Sequence, residues 1–169
     1  MTANIRAVAA GADAARDRAW AAAASVADPE IPVLSVADLG VLRDIRVDGD
    51  GRVTAVITPT YSGCPAMLVI EFGIVAALAE AGFADARVET VLSPPWTTDW
   101  LTDAGREKLR AYGIAPPAAA STSKRALFGP APVVGCPQCG SADTEQISEF
   151  GSTACKALWR CRACREPFD

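Results

Sequence analysis

The chain is organised around one short stretch, Thr58-Pro59-Thr60-Tyr61-Ser62-Gly63-Cys64-Pro65-Ala66. Proline is favoured in the first turn of a helix because its missing N–H would have no partner there. Pro65 therefore predicts that Cys64 lies at or next to the N-cap of a helix. The unpaired N–H groups at that end carry partial positive charge and favour thiolate over thiol. Cys64 is thus a candidate functional thiol.

The residues before Cys64 are predicted to support this thiol. Gly63 gives the backbone the freedom to turn sharply into the helix, and the hydroxyls of Thr60 and Ser62 are close in sequence to the sulfur. The alternative is that Cys64 is a small apolar residue capping a buried helix, since cysteines without a disulfide are often simply buried.

A β-hairpin is predicted before this stretch. Residues 41–47 alternate so that Leu42 falls on the face opposite Ile45. Asp48-Gly49-Asp50-Gly51 is a strong turn signal, and residues 52–58 are rich in β-branched side chains. The second strand of the hairpin therefore leads directly into the cysteine loop.

After the stretch, residues 65–81 predict an apolar helix that ends at Gly82, and residues 86–92 predict a third strand. This helix is long enough for a parallel crossover. A further helix over residues 13–27, with Trp20 on its apolar face, precedes the hairpin. The predicted fold class is α/β, an α+β sandwich in which helices cover one face of a small mixed sheet.

The composition changes twice along the chain. We predict a first domain over residues 1–113, with an N-terminal extension at 1–13 and a last helix capped by Thr102 or Asp103. Residues 114–132 are rich in Pro, Ala, Ser and Thr and predict a linker. Residues 133–169 form a separate small module.

Charge and composition exclude several function classes. The 169 residues carry a net charge of -4 and include no histidine. Nucleic acid is therefore a poor default partner, and histidine-based acid–base catalysis is excluded. Charged residues interrupt the alanine-rich N-terminus, and no stretch reaches the roughly 18 uninterrupted apolar residues of a membrane span. We expect a soluble, cytoplasmic protein without a membrane partner.

The C-terminal module carries two Cys-x-x-Cys pairs separated by residues 140–160. Two such pairs can hold one ion in a tetrahedron of four sulfurs. The predicted ligands of a structural zinc ion are Cys136, Cys139, Cys161 and Cys164. A rubredoxin-like iron is the alternative. The module is so short that metal binding is expected to supply much of its stability.

Two further features of the sequence leave alternatives open. Basic residues do not dominate in the zinc module, so contact with protein, or stiffening of the tail, is favoured over nucleic-acid binding. Cys155 belongs to neither Cys-x-x-Cys pair and is interpreted as a buried spare, an alternative metal ligand or a partner for Cys64. Asp28 and Glu30, on a proline-rich loop, are candidate co-ligands with Cys64 for a transient metal or cluster, although such carboxylates are usually caps or solvated.

Four stretches carry a family resemblance: Asp28-Pro29-Glu30-Ile31-Pro32, Asp38-Leu39-Gly40-Val41, Tyr61-Ser62-Gly63-Cys64-Pro65 and Pro94-Pro95-Trp96-Thr97. They resemble the iron–sulfur assembly domain of SufT-like proteins over residues 14–113. With Cys136-Pro137-Gln138-Cys139-Gly140-Ser141 and the stretch from Phe150 to Cys161, the whole chain resembles the PaaD family, also called PaaJ.

The resemblance implies an accessory or maturation protein of the phenylacetyl-CoA epoxidase in aerobic phenylacetate catabolism, which assists insertion of an iron–sulfur cluster or iron. It places the family's reactive cysteine on Cys64 and its acidic loop on Asp28 and Glu30. It implies a transient iron–sulfur cluster in addition to the structural zinc, and epoxidase components or other iron–sulfur assembly proteins as partners. A homodimer is a further option. We expect no enzyme activity, since no di-iron, flavin or nicotinamide motif is present. A permanent structural subunit and a thiol redox protein are the alternatives.

Overall fold

The computed structural model describes residues 2–117 and 133–169, with the side chains of the first helix from residue 13 onward. The chain divides into two compact units, Met1–Trp96 and Thr97–Asp169. Residues 118–132, most of the predicted linker, lie outside the described residues. Within the described ranges, no helix is both long and apolar enough to cross a membrane.

Helix α1 spans Thr2–Ala24, so the predicted N-terminal extension is largely helical and the helix ends before residue 27. Ala19 and Ala23, one turn apart, are fully buried. Trp20, predicted on the apolar face, is 37% exposed, so that prediction is wrong. The small alanine side chains form the buried face because they allow the helix to approach its neighbours closely.

Strands β1 (Leu42–Val47) and β2 (Val53–Ile57) form the predicted antiparallel hairpin, with Ile45 opposite Ala55. In the turn, the Asp48 carboxylate accepts hydrogen bonds from two backbone N–H groups. The prediction that Leu42 faces away from Ile45 is wrong, because both are buried. The register shifts between Leu42 and Asp44, and an extra residue in one strand changes which face the side chains before it occupy.

Helix α2 spans Met67–Glu80 and leads into strand β3 (Arg87–Thr90), which pairs in parallel with β2. The helix ends as predicted at Gly82, which has φ +94° and is followed by a hydrogen bond from the Phe83 N–H to the Leu78 carbonyl. The sheet order is β1-β2-β3, and α1 packs against β1 and α2. This confirms the small mixed sheet with its helices.

The second unit begins with a 3₁₀ turn and a short helix. The turn spans Thr98–Trp100, and helix α3 spans Asp103–Tyr112 with the Thr102 hydroxyl as its N-terminal cap. The predicted domain boundary at residue 113 assigns α3 to the first domain, whereas the helix lies in the second unit. Residues 114–117 are also tied to this unit, because the Ala115 N–H donates to the Asp169 carbonyl at 2.8 Å.

The rest of the second unit is a small antiparallel sheet. Its strands, in spatial order, are β4 (Thr144–Ser148), β5 (Leu158–Cys161) and β6 (Pro167–Phe168). The two Cys-x-x-Cys pairs lie just before β4 and at the end of β5. The sheet therefore brings together two segments that are distant in sequence and places their cysteines side by side.

Candidate functional site

Four cysteine sulfurs converge in the second unit. The sulfurs of Cys136, Cys139, Cys161 and Cys164 all lie within 4.8 Å of one another. The Sγ–Sγ distance is 3.8 Å between Cys136 and Cys164 and 3.6 Å between Cys139 and Cys161. An ion held tetrahedrally at about 2.3 Å from each sulfur would set the sulfurs about 3.8 Å apart. The four residues predicted as ligands therefore form a metal-binding group.

The two cysteine pairs are held by equivalent backbone turns. The Cys136 N–H donates to the Ser141 carbonyl at 2.9 Å, and the Cys161 N–H donates to the Glu166 carbonyl at 3.0 Å. The residue after the second cysteine of each pair has a positive φ, +73° at Gly140 and +67° at Arg165. Glycine adopts this conformation without strain, whereas arginine does not.

The metal-binding cysteines differ in how readily they ionise. The backbone N–H of Cys164 donates to the Cys161 sulfur and lowers the pKa of Cys161 to about 7. At Cys164 the backbone N–H of Glu166 also lowers the pKa, but desolvation and the neighbouring sulfurs outweigh it and raise this pKa to about 12. Four thiolates at this spacing repel one another, so a bound cation is what allows all four to ionise.

The core around these cysteines is very small. Cys136, Cys161 and Phe168 form its buried cluster. The ring of Trp159 stacks on that of Phe168, with the centroids 6.5 Å apart. Two of the three buried residues are metal ligands, so the metal site and the hydrophobic core of this sheet are the same structure.

Cys64 lies in a tight turn just before α2. Its N–H donates to the Tyr61 carbonyl at 3.2 Å, and its carbonyl accepts from the Met67 N–H at 3.3 Å. The N-cap is Ala66, two residues further on than predicted, because Pro65 and Ala66 belong to this turn rather than to the helix. The half-buried Cys64 nevertheless adjoins the N-terminal end of α2.

Of the predicted supporting residues, Gly63 does not adopt the left-handed conformation that only glycine takes easily. A Cβ built there would come no closer than 3.8 Å to the Tyr61 ring. Its special backbone freedom is therefore not used in this conformation. Thr60 is half-buried and Ser62 is exposed.

The acidic loop is anchored through Asp28. This buried residue accepts hydrogen bonds at its Oδ1 atom from the backbone N–H groups of Glu30 and Ile31, both at 2.8 Å. The Asp28 N–H donates to the Leu34 carbonyl, which closes the loop. One carboxylate oxygen of Asp28 thus fixes the backbone that carries the half-buried Glu30.

In the described residues, the four clustered cysteines are the one group of three or more Cys, Asp or Glu residues placed to share an ion. Cys64, Asp28 and Glu30 are not brought together in this way. Their joint role as transient ligands stays a prediction, and it would require the loops of the first unit to move on binding.

Two family models match the chain. Residues 16–91 match a family of iron-sulfur cluster assembly proteins, and residues 120–169 match the PaaD zinc beta ribbon domain. The chain is also 51% identical over 150 residues to a protein of Escherichia coli K12 named as a candidate subunit of 1,2-phenylacetyl-CoA epoxidase. This alignment covers 89% of the chain and 88% of the relative. The chain belongs to the PaaD family.

Other relatives of this PaaD-family chain match only about half of it. The Fe-S protein maturation auxiliary factor YitW of Bacillus subtilis is 34% identical over 91 residues, which are 53% of the chain and 88% of that protein. A solved structure, the domain of unknown function DUF59 from Bacillus anthracis, matches the chain with a TM-score of 0.56 at 23% identity. The match covers 60% of this chain and 96% of the Bacillus anthracis domain. That likeness shows the fold alone.

The zinc beta ribbon of this PaaD-family chain balances most of its charge internally. Glu145 accepts hydrogen bonds from Arg160 Nε at 2.7 Å and from Arg162 Nη2 at 2.8 Å. Arg162, followed by Arg160, lowers the pKa of the Glu145 carboxyl. Lys156 pairs with Asp169 at 3.3 Å. Three basic residues of the ribbon are therefore paired with carboxylates of the ribbon itself. This pairing is consistent with the expectation that the ribbon contacts protein rather than nucleic acid.

Cys155 lies apart from the four metal ligands. It is exposed, so it is not a buried spare, and its sulfur lies 3.0 Å from the Thr153 hydroxyl oxygen. It does not belong to the metal-binding group. Cys64 and Cys155 lie in different compact units, and their pairing stays a hypothesis.

One contact of the PaaD-family chain was missed by sequence reasoning. The indole N–H of Trp96 donates to the Leu39 carbonyl at 2.8 Å, joining the proline-rich stretch to the loop after Asp38. The Asp38 carboxylate in turn accepts hydrogen bonds from the N–H and the hydroxyl of Ser35. A half-buried tryptophan needs an acceptor for its N–H, but the sequence does not show which carbonyl provides it.

Proposed function

We propose that the protein is an accessory maturation factor of a 1,2-phenylacetyl-CoA epoxidase and assists insertion of an iron–sulfur cluster or iron into the reductase or oxygenase component of that enzyme. Two relatives support the two halves of this proposal. One is named for the epoxidase and covers 89% of the chain, and the other is named for iron–sulfur protein maturation and covers 53% of it.

The observation that carries the proposal is that Cys64 does not belong to the four-cysteine group. Cys64 is half-buried in a turn of the first unit, whereas the four-cysteine group lies in the second. A half-buried thiol at the end of a helix can bind a metal cargo and release it again, because solvent and a partner can reach it. Asp28 and Glu30 would complete the cargo site once their loop moves.

The four-cysteine site has a different role in this proposal. Its ion is zinc, and it stabilises the ribbon rather than reacting, because four thiolates leave no open coordination position. Thiolate sites of this kind persist in a reducing compartment, so the protein acts in the cytoplasm. The protein itself is not an enzyme. It has no histidine for acid–base chemistry, and its chemistry-bearing groups act only as metal ligands in this proposal.

The test is to replace Cys64 with serine and to express the variant with the epoxidase components in cells that lack the native protein. We expect a folded variant with unchanged zinc and a large loss of active epoxidase. Cys155→Ser is the matched control, because Cys155 is exposed and outside the metal-binding group. Full epoxidase activity with Cys64→Ser would remove the role of this thiol.

A permanent structural subunit is the second candidate, supported by the name of the Escherichia coli relative. In that case the ribbon would be a docking module. The purified epoxidase decides between the two, because a subunit is present in fixed stoichiometry after purification whereas a maturation factor is not.

A further inference from the structure

Helix α2 is apolar on both of its sides. Its buried face consists of Ile70, Ile74 and Leu78. A second apolar stripe faces outward and consists of Leu68, Val69, Phe72 and Val75. Of these, Phe72 is 75% exposed, Leu68 66% and Val69 58%. A helix that is apolar on all sides is normally buried on all sides. The exposed stripe therefore indicates a surface that binds another protein.

The stripe begins where the Cys64 turn ends. The Cys64 carbonyl accepts the N–H of Met67, the first residue of α2, and Leu68 follows directly. The backbone of Cys64 therefore adjoins the first turn of the helix, at the same end as Leu68. A protein seated on the stripe would lie next to the thiol.

The size of the stripe favours a transient partner over a second copy of the chain. Weighted by their exposed fractions, its four side chains present roughly 400 Å², about half of what one side of a standard stable interface buries. This area is within the range of the largest apolar patch on a typical monomer, and such patches are often functional. A permanent dimer would need about twice this area per protomer.

The charges near the stripe indicate how the partner is recognised. Before the last residue of α2, its only charged side chain is Glu71. That carboxylate accepts a hydrogen bond from the Thr90 hydroxyl at 3.1 Å, which directs it toward β3. Recognition through the stripe would thus rest on apolar burial, with little dependence on salt.

We propose that the stripe Leu68, Val69, Phe72 and Val75 is the docking surface for the client protein, which presents a complementary apolar groove. This inference rests on the proposed function, because it identifies the client as the protein that receives the cargo from Cys64. Docking on α2 brings the client's empty cluster site next to the Cys64 turn. Within this short-lived complex, ligands of the client replace the Cys64 thiolate on the cargo, the bond between the metal and the Cys64 sulfur breaks, and no oxidation state changes.

The experiment measures binding of the full-length protein to the purified reductase component of the epoxidase, prepared without its cluster. Phe72→Glu is expected to raise the Kd about 30-fold, the effect of losing one interface hot spot. Phe150→Glu is the matched control, because Phe150 is 65% exposed in the second unit and should leave the Kd unchanged. An unchanged Kd for Phe72→Glu would overturn the proposal.

Further arms of the experiment separate docking from cargo transfer. Cys64→Ser should bind the reductase with the wild-type Kd while failing to transfer a cluster. If the wild-type protein binds but transfers nothing, the proposed function fails and the docking surface stands. A wild-type dimer that Phe72→Glu converts to a monomer would show that a second copy occupies the stripe, and would overturn the proposal. Protection of the stripe from carbene labelling in the isolated monomer would also overturn it, since another segment of the chain would then cover it.

Discussion

Replacing Cys161 with alanine should unfold the zinc ribbon while leaving the first unit intact. Cys161 is fully buried, ligates the predicted zinc and belongs to the three-residue core of the ribbon. The largest apolar residue of that core, Phe168, contributes about 2 to 3 kcal/mol by burial, and its stacking on Trp159 adds about 1 kcal/mol. Structural zinc in comparable peptides contributes about 10 kcal/mol or more. The ion therefore outweighs the hydrophobic contacts several-fold.

Hydrogen exchange followed by mass spectrometry resolves this effect by region. In Cys161→Ala, or after zinc removal with a chelator, the amides of Thr144–Ser148 and Leu158–Cys161 should lose their protection. The amides of Val53–Ile57 and Met67–Glu80 should keep it, because they belong to the other compact unit. Cys155→Ala is the control and should exchange like the wild type. Strands that stay protected in a zinc-free Cys161→Ala protein would refute the metal-dependent ribbon.

Three smaller perturbations test local features of the structure. Arg165→Gly should stabilise the ribbon by about 0.5 to 1 kcal/mol in chemical unfolding, because glycine removes the strain of φ +67° at this position; destabilisation would contradict that interpretation. Trp96→Phe removes the N–H that donates to the Leu39 carbonyl and should cost about 1 kcal/mol, with faster amide exchange in that loop as the second readout. The hydrogen bond from Arg16 lowers the pKa of Asp44 below its ordinary value of 3.8, so the stabilisation is present above pH 3.8 and is lost as the pH falls through the lowered pKa. Asp44→Asn should therefore lower the melting temperature slightly at pH 6, and this effect should shrink as the pH falls below 3.8; an effect that grows toward low pH would contradict the role of the Arg16–Asp44 pair.

Local signals in the sequence were sufficient for most of the fold. The turn Asp48–Gly51 places two charged and two flexible residues between β-rich segments, and the hairpin forms there as predicted. Gly82 ends α2 because it adopts a positive φ with little strain. The spacing of the two Cys-x-x-Cys pairs was enough to predict the four-cysteine group, since metal geometry restricts which residues can share one ion.

The features that escaped prediction depend on contacts between distant segments. The bulge that buries Leu42 arises from the pairing between β1 and β2. The alternation of residues within one strand cannot predict such a bulge. The buried face of α1 is set by how closely the helix packs, and alanines there replace the tryptophan that hydropathy alone would favour. The contact from Trp96 to Leu39 joins residues far apart in the chain. The candidate cargo site belongs to the same class, because whether Cys64 meets Asp28 and Glu30 depends on loop positions.

The most direct test of the central claim is anaerobic metal analysis of the wild-type and Cys64→Ser proteins after reconstitution with iron and sulfide. The claim is that Cys64 binds a transferable iron cargo independently of the zinc ribbon. We expect one zinc per chain in both proteins and iron in the wild type alone. Equal iron in the two proteins, or loss of zinc from Cys64→Ser, would contradict it.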